Sequence, residues 1–375
     1  MNRVVVEQID LEDVRPGGIE TCIVDMLTWS SSTRFHVFGI TSDVHRQLGA
    51  PTEVSFGGRT HLFTPVARLN PNRTRRLIPN SARLALGLAR YRRCVPAADL
   101  VQVHRIEFGL VARLLLRGHP LVQFIHTDGL AQTSRKSESL WRRLAPLYRL
   151  LESRVLPHAR QVVIFNQPDG ERLRTKLGHI SVKRTWFDPS VYRPGELFTV
   201  DECRAPDAAL QLLWVGRFEE QKNPVLAVKT LAALRKVGMP ATLTMVGSGT
   251  KKAEILANAT QLQVRDYLDL TGALVRKDVA DRMRRADLLL MTSHYEGSPR
   301  VLIEANACGL PAAVTPGSDP DVAVVKQVNG ARSLDDQPAS MIDAVTRAIH
   351  TPKASCVRAV QHLRADTAVA ELLGE

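Results

Sequence analysis

The stretch from Asp287 to Gly309, DLLLMTSHYEGSPRVLIEANACG, restricts the fold more than any other part of the chain. Leu288, Leu289, Leu290 and Met291 form a short unbroken apolar run, the pattern of a strand buried on both faces of a parallel sheet. A loop follows, from Ser293 to Gly297. Ser298 is then placed to cap a helix whose first position is taken by Pro299, where a missing N–H costs nothing. Val301, Leu302, Ala305 and Cys308 give that helix one buried stripe, and Gly309 followed by Leu310-Pro311 ends it. A strand, a tight loop and a helix in this order direct free helix N–H groups out of the carboxyl edge of a sheet, which makes an anion site. Two carboxylates frame it. Glu296 lies in the loop and Glu304 eight residues on, and eight steps of about 100° return Glu304 to within about 80° of the starting direction. Both therefore address one ligand.

The run Glu296-Gly297-Ser298-Pro299-Arg300-Val301 with Glu304 has the form E-G-x-P-x-x-x-x-E. It resembles the signature of the retaining nucleotide-sugar glycosyltransferases of family 4, which have the GT-B fold. The resemblance implies an α/β protein of two doubly wound Rossmann-like domains facing across a cleft. Supporting motifs lie along most of the chain, and each also has a reading of its own.

Strands and helices alternate throughout, and the alternation breaks once, at Trp186 to Gly195, where two prolines and a glycine gather. With this break, the resemblance implies an N-terminal, acceptor-binding domain over 1–188, a linker over 189–208, a C-terminal nucleotide-sugar domain over 209–352, and a C-terminal helix over 353–375 that packs back on the first domain. At 375 residues and 44% hydrophobic content the chain suits two packed cores. No apolar run reaches the roughly 18 to 20 residues that cross a bilayer. MNRVVVEQID reads as a first strand. Five scattered cysteines with no C-x-x-C pair suggest reduced thiols, and hence a cytoplasmic protein.

In the first half, Val4 to Val6 lead to Arg15-Pro16-Gly17-Gly18 and a helix with Ile19, Ile23, Met26 and Leu27 at helical spacing. Paired glycines at a strand-to-helix turn let a ligand approach the backbone. In family 4 a similar Gly-Gly-x-Glu faces donor and acceptor, which implies that role for Gly17 and Gly18. His104 follows one short strand and His126 another, Leu121 to Ile125. That is the edge at which open α/β sheets bind ligands. The family pattern implies that His126 meets the transferred sugar. A long amphipathic helix is expected over Ser137–Leu156, with Leu140, Leu144, Leu147, Leu151 and Val155 as its stripe.

The net charge of +12 lies wholly in this half: residues 1–188 hold 28 Lys and Arg against 16 Asp and Glu, and the remainder holds 22 of each. Between Glu53 and Asp99 there are nine arginines and no acid. Leu77, Leu84, Leu88 and Tyr91 share a helical face there, a basic amphipathic pattern that suits an anionic membrane surface. Nucleic acid is not indicated, because the segment is poor in aromatics and spells no reading module.

In the second half, the strand Leu210 to Val215 leads to Gly216-Arg217-Phe218-Glu219-Glu220-Gln221-Lys222-Asn223-Pro224. Asn223 is placed to cap the next helix and Pro224 to start it. The family carries a matching G-R-x-x-x-x-K, which implies that Arg217 and Lys222 grip the donor diphosphate. Gly247-Ser248-Gly249 resembles the family's V-G-x-G turn, whose glycines admit the nucleotide. Gly317-Ser318 and Asp321 depart from the family's Gly-Gly and Glu, so that contact is not carried over.

Together the resemblance implies transfer of a hexosyl group from a UDP- or GDP-sugar to an acceptor hydroxyl with retained configuration, the acceptor being a glycan or a lipid-linked glycan or glycolipid. Arg217, Lys222 and the N–H groups from Gly297 to Arg300 would stabilise the departing diphosphate. No cofactor or divalent metal is required on this reading. Glu304 would hold the ribose hydroxyls, Glu296 a sugar hydroxyl, and His126 would orient sugar and acceptor. Two other classes stay open: a glycosidase using Glu296 and Glu304, and a non-catalytic sugar-nucleotide-binding protein with the same pocket.

Overall fold

A computed structural model describes residues 1–14, 17–69, 79–126, 144–195, 208–319 and 328–375. The sequence readings that fall on Arg15, Pro16, Arg73, Arg75, Arg76, Leu77, Leu140, Cys203 and Asp321 lie outside these residues, as does the start of the helix expected from Ser137. The described residues fall into two compact units. One holds those of Met1–Asp128, Arg143–Arg184 and Asp366–Glu375; the other holds those of Thr185–Ala365.

The first unit is built on an eight-stranded sheet. Its strands are β1 (Asn2–Val6), β2 (Arg34–Thr41), β3 (Thr52–Phe56), β4 (Arg59–Arg68), β5 (Leu100–Val103), β6 (Leu121–Ile125), β7 (Gln161–Ile164) and β8 (Ile180–Val182). They lie in the order β3-β4-β2-β1-β5-β6-β7-β8. All neighbours are parallel except β3 and β4, an antiparallel pair joined at Gly57-Gly58, whose φ angles of 57° and 76° only glycine adopts without strain. No strand was expected over β3 or β4 from the sequence, although β3 alternates between half-buried and exposed positions and β4 is largely buried. The chain leaves β1 in one direction to β2 and returns on its other side as β5, so the sheet has its topological switch between β1 and β5.

The second unit has a six-stranded sheet, wholly parallel, of β9 (Leu210–Val215), β10 (Ala241–Val246), β11 (Leu268–Gly272), β12 (Leu288–Met291), β13 (Ala312–Val314) and β14 (Gly330–Arg332). The order β11-β10-β9-β12-β13-β14 puts its switch between β9 and β12. The apolar run of β12 is buried on both faces, as its pattern requires. Leu288 and Leu290 join one hydrophobic cluster with Trp214 and Leu231, while Leu289 and Met291 join another with Met283 and Leu302.

Four helices differ from expectation. The one expected over Ser137–Leu156 starts at Ala145 among the described residues, with Leu144 non-helical at φ −117°, ψ 30°. Pro146 is the reason, since its ring and missing N–H do not allow a helix to run through from the preceding turn. Tyr148 and Val155 form its buried face, and Leu144 and Leu147 are exposed. The C-terminal helix expected over 353–375 is two, Lys353–Val360 and Ala365–Leu373. Between them Leu363 O accepts from Phe187 N and Ala365 N donates to Phe187 O, and this strand-like pairing replaces the helical ladder. In the first unit, Glu375 accepts from the backbone N–H groups of Ser31, Ser32 and Thr33, and Glu371 pairs with Lys183. The other two differences, at Gly18 and at Pro299, belong to the candidate site residues.

Candidate active site

In the second unit, the loops that follow β9 and β12 meet at the switch point. They are stitched by backbone and side-chain hydrogen bonds. His294 N donates to Gln221 O at 2.9 Å and Gln221 Nε2 to Tyr295 O at 3.1 Å. Thr292 Oγ1 donates to Asn223 O at 2.8 Å and receives Trp214 Nε1 at 3.0 Å. Asn223 occupies the cap position of the helix Pro224–Lys236 with Pro224 inside it, but it acts through its left-handed backbone (φ 45°) and its side chain makes no cap bond.

This stitching brings Lys222 and Glu296 together. Lys222 Nζ lies 2.6 Å from Glu296 Oε1, and Ser293 Oγ donates to the same oxygen at 2.6 Å. The Glu296 side chain is 8% exposed and that of Lys222 21%, so the pair is far less screened than a surface ion pair. Arg217 is not brought in. Its guanidinium turns to Glu219 Oε1 at 2.8 Å and its side chain is 67% exposed.

The glycines of the neighbouring turns have a structural task. Gly216 N donates to Val246 O, Gly247 N to Gly272 O, and Phe218 N to Ser248 O. A Cβ on Gly247 would lie 1.8 Å from Gly216 O, and one on Gly249 would lie 2.5 Å from Phe218 O. What these glycines admit, among the described residues, is the adjacent loop.

The helix after Glu296 begins one residue later than expected, at Arg300, and ends at Ala307. Pro299 sits at the cap position with ψ 73°, and its carbonyl accepts from Leu302 N and Ile303 N. Ser298 does not cap; its hydroxyl bonds Thr185 Oγ1 at 2.7 Å. The row of N–H groups from Gly297 to Arg300 is therefore shorter than expected, because proline has none and Arg300 N donates to Ser298 O. Arg300 places its guanidinium over the Trp186 ring, and Val301 is half-buried. Glu304 is buried on the same helix. The Tyr192 hydroxyl is pushed well above its ordinary range, by burial first and then by the charge of Glu304, which places that carboxylate in the field of Tyr192 and Arg276.

In the first unit, Gly17 is the cap of the helix Gly18–Trp29, one residue ahead of the expected start. A Cβ on Gly17 would meet the Glu20 carboxylate at 2.1 Å, whereas Gly18 has open space. His126 follows β6, and its Nε2 lies 2.7 Å from Nδ1 of His104, which follows β5. Phe165 flanks the His126 ring at 4.8 Å and Phe124 the His104 ring at 4.7 Å. The sequence placed these two histidines at one sheet edge but did not join them, since pairing requires β5 and β6 to be neighbours.

Glu7 and Arg105 were not singled out from the sequence. Glu7, directly after β1, is fully buried and takes Arg105 Nε at 2.7 Å. Burial pushes its carboxyl up to about 7, and Arg105 offsets only part of that. A charged residue directly after a run of three valines was the available signal. One Asp-x-Asp also occurs, Asp319-Pro320-Asp321; Asp319 is fully buried, and the other two lie outside the described residues.

Comparison with known proteins follows the same division. The family described as Glycosyl transferase 4-like domain matches residues 17–185, and Glycosyl transferases group 1 matches 201–363. A glycogen synthase of Mycobacterium tuberculosis is 29% identical over 167 residues, 43% of this chain and 40% of that protein. The matched segment thus spans well under two thirds of that relative. Sucrose-phosphate synthase from Thermosynechococcus elongatus shares the fold over 100% of this chain and 97% of its own, with a TM-score of 0.76 at 17% identity. Anabaena HepE, solved in complex with UDP-glucose, does so over 100% and 99%, with a TM-score of 0.69 at 16% identity. Two mostly parallel α/β units, these paired family matches and these structural neighbours lead to one conclusion: the chain belongs to the GT-B glycosyltransferases of the group 1, family 4 type.

Proposed function

We propose that the chain transfers a hexosyl group from a nucleoside-diphosphate sugar to an acceptor hydroxyl with retention of configuration. The observation that carries this reading is the Lys222–Glu296 contact at the switch point, where the strand order leaves a crevice at the carboxyl edge. A fixed ammonium in a little-exposed site is the lever that a departing diphosphate needs, because its negative charge grows as the glycosidic bond lengthens. Lys222 supplies that charge without a divalent metal, and Arg217 reaches it by turning away from Glu219. Glu296 positions Lys222 and takes a sugar hydroxyl, Glu304 takes the ribose, and His126 contacts the transferred sugar. A glycosidase would leave the lysine without a task. Similarity to a protein crystallised with UDP-glucose favours a uridine donor.

Incubation with UDP-, GDP- and ADP-sugars and a membrane lipid extract tests the reading. Nucleoside diphosphate release that depends on acceptor is the expected result; binding of a donor with no release under any acceptor would leave only the sugar-nucleotide-binding reading.

A lipid-linked acceptor is favoured by the surface of the first unit. In the helix Asn80–Tyr91, Leu84 and Leu88 are fully buried while Leu86 is exposed; Leu114 of the helix Ile106–Leu115 and Leu147 and Leu150 of Ala145–Val155 are exposed too. These helices pack in contact, and Arg90, Arg92, Arg93, Arg117, Arg149 and Arg154 lie exposed around them. Exposed leucines among arginines suit the interface of an anionic leaflet, each basic residue contributing about 1 kcal/mol. No helix among the described residues is long and apolar enough to cross a membrane, so attachment would be peripheral, at the inner face. The protein is expected to sediment with phosphatidylglycerol vesicles at low salt and to be released by high salt. Equal recovery with neutral vesicles would remove the membrane from the proposal.

A further inference from the structure

We infer that Gln102 and His104 are positioning residues that fix the tautomer of His126 and hold it neutral, leaving the Nδ1–H of His126 as its hydrogen-bond donor. Arg3 begins the argument. A guanidinium only donates, so the Gln102 atom 2.9 Å from Arg3 Nη1 is the amide oxygen. The amide nitrogen must then point the other way, where it lies 2.7 Å from His104 Nε2 and 3.4 Å from Met26 Sδ. An amide nitrogen only donates, so His104 Nε2 accepts and carries no proton. The proton of His104 is on Nδ1, which donates to His126 Nε2 at 2.7 Å. His126 is left with its proton on Nδ1.

The chain of donors is hard to reverse. A proton on His126 Nε2 would oblige His104 to accept there and to carry its own proton on Nε2, against the Gln102 N–H. Flipping the amide would turn that N–H against Arg3. All of Arg3, Gln102 and His104 are buried, so no solvent is at hand to relieve a donor facing a donor. Burial, and then the positive neighbours, hold His104 well below its ordinary pKa in the same sense.

Cys22 Sγ lies in this cluster, with the ligand atoms of Cys22, His104 and His126 within 4.8 Å of one another. Such a set suits a thiophilic divalent cation. The amide selects against it, because a metal on His104 Nδ1 would move the proton to Nε2, against the Gln102 N–H. For transfer, His126 acts as a fixed neutral donor to an oxygen and takes up no proton at Nδ1. That consequence rests on the proposed contact of His126 with the sugar; the tautomer does not.

Side-chain 15N spectra of histidine-labelled full-length protein test the tautomer directly, with signals assigned by single substitutions. Both His104 and His126 are expected to be protonated on Nδ1 and bare on Nε2; a protonated Nε2 on either overturns the inference without touching the transferase reading. Gln102→Glu, which can accept from His104 Nε2, is expected to move the His126 proton to Nε2 and to lower kcat roughly 10- to 100-fold, the direction that a wrong tautomer gives. A reversed His126 tautomer with unaltered transfer would overturn the positioning role and leave the assigned reaction standing. Zinc inhibition at micromolar concentration that Cys22→Ser relieves would also overturn it.

Discussion

Lys222→Ala is expected to lower kcat by roughly two to three powers of ten, the scale for removing one preorganised charge-stabilising group from a transition state. The lysine sits 2.6 Å from Glu296 in a little-exposed setting, so its charge acts through a low local dielectric and, in the proposed reaction, would need little reorganisation as a diphosphate departs. The same substitution leaves Glu296 nearly buried, with the Ser293 hydroxyl still donating to it, and breaking a buried pair costs about 3–5 kcal/mol where burial is complete. Lys222 is a fifth exposed, so a loss of roughly 1–3 kcal/mol is expected here. Stability and chemistry can be separated with the double variant Lys222→Ala, Glu296→Gln. It should regain Tm and not turnover. If turnover returns with Tm, the lysine is a structural strut, and wild-type kcat in Lys222→Ala would remove the diphosphate assignment.

Gly247→Ala is expected to destabilise the protein by roughly 3 kcal/mol or more, through a strained backbone and overpacking together. Its φ is +143°, and the new Cβ would lie 1.8 Å from the Gly216 carbonyl oxygen. The atoms it would strike are backbone, so no flexible side chain can yield. Gly247 N donates to Gly272 O and Gly216 N to Val246 O, next to Gly247, so a shift at Gly247 is passed to the loop that carries Arg217 and Lys222. Gly238→Ala is the control: φ is +83° with nothing within 4 Å of the Cβ, so only the left-handed penalty of about 1–2 kcal/mol applies. Thermal melts should show Gly247→Ala falling well beyond Gly238→Ala. Equal losses would mean that the loop contact relaxes freely.

Much of the second unit was legible. The run of β12, the proline at the start of the helix after Asn223, and the glycines after β10 are signals carried by a few adjacent residues, and burial and turn chemistry act on that scale. Boundaries failed where a single residue had two uses. Pro299 suits a first helical position, yet it caps, and Ser298, a good capping residue, spends its hydroxyl on Thr185. Pro146 inside an apolar helical stripe was outweighed by the leucines around it, although a proline ring there decides the matter. The leucines that remain outside are exposed because no element among the described residues covers them, which periodicity does not report.

The amino-acid sequence by itself determined the two α/β halves, the strand-to-helix turns and the residue types at them, because each follows from local spacing. Only the tertiary structure decided the pairings. Lys222 meets Glu296 across 74 residues, His104 meets His126 across 22, and Arg105 meets Glu7 across 98. Each pairing depends on which strands lie side by side, and strand order is set by packing of whole sheets. A charge has no partner until that order brings one within a few ångströms.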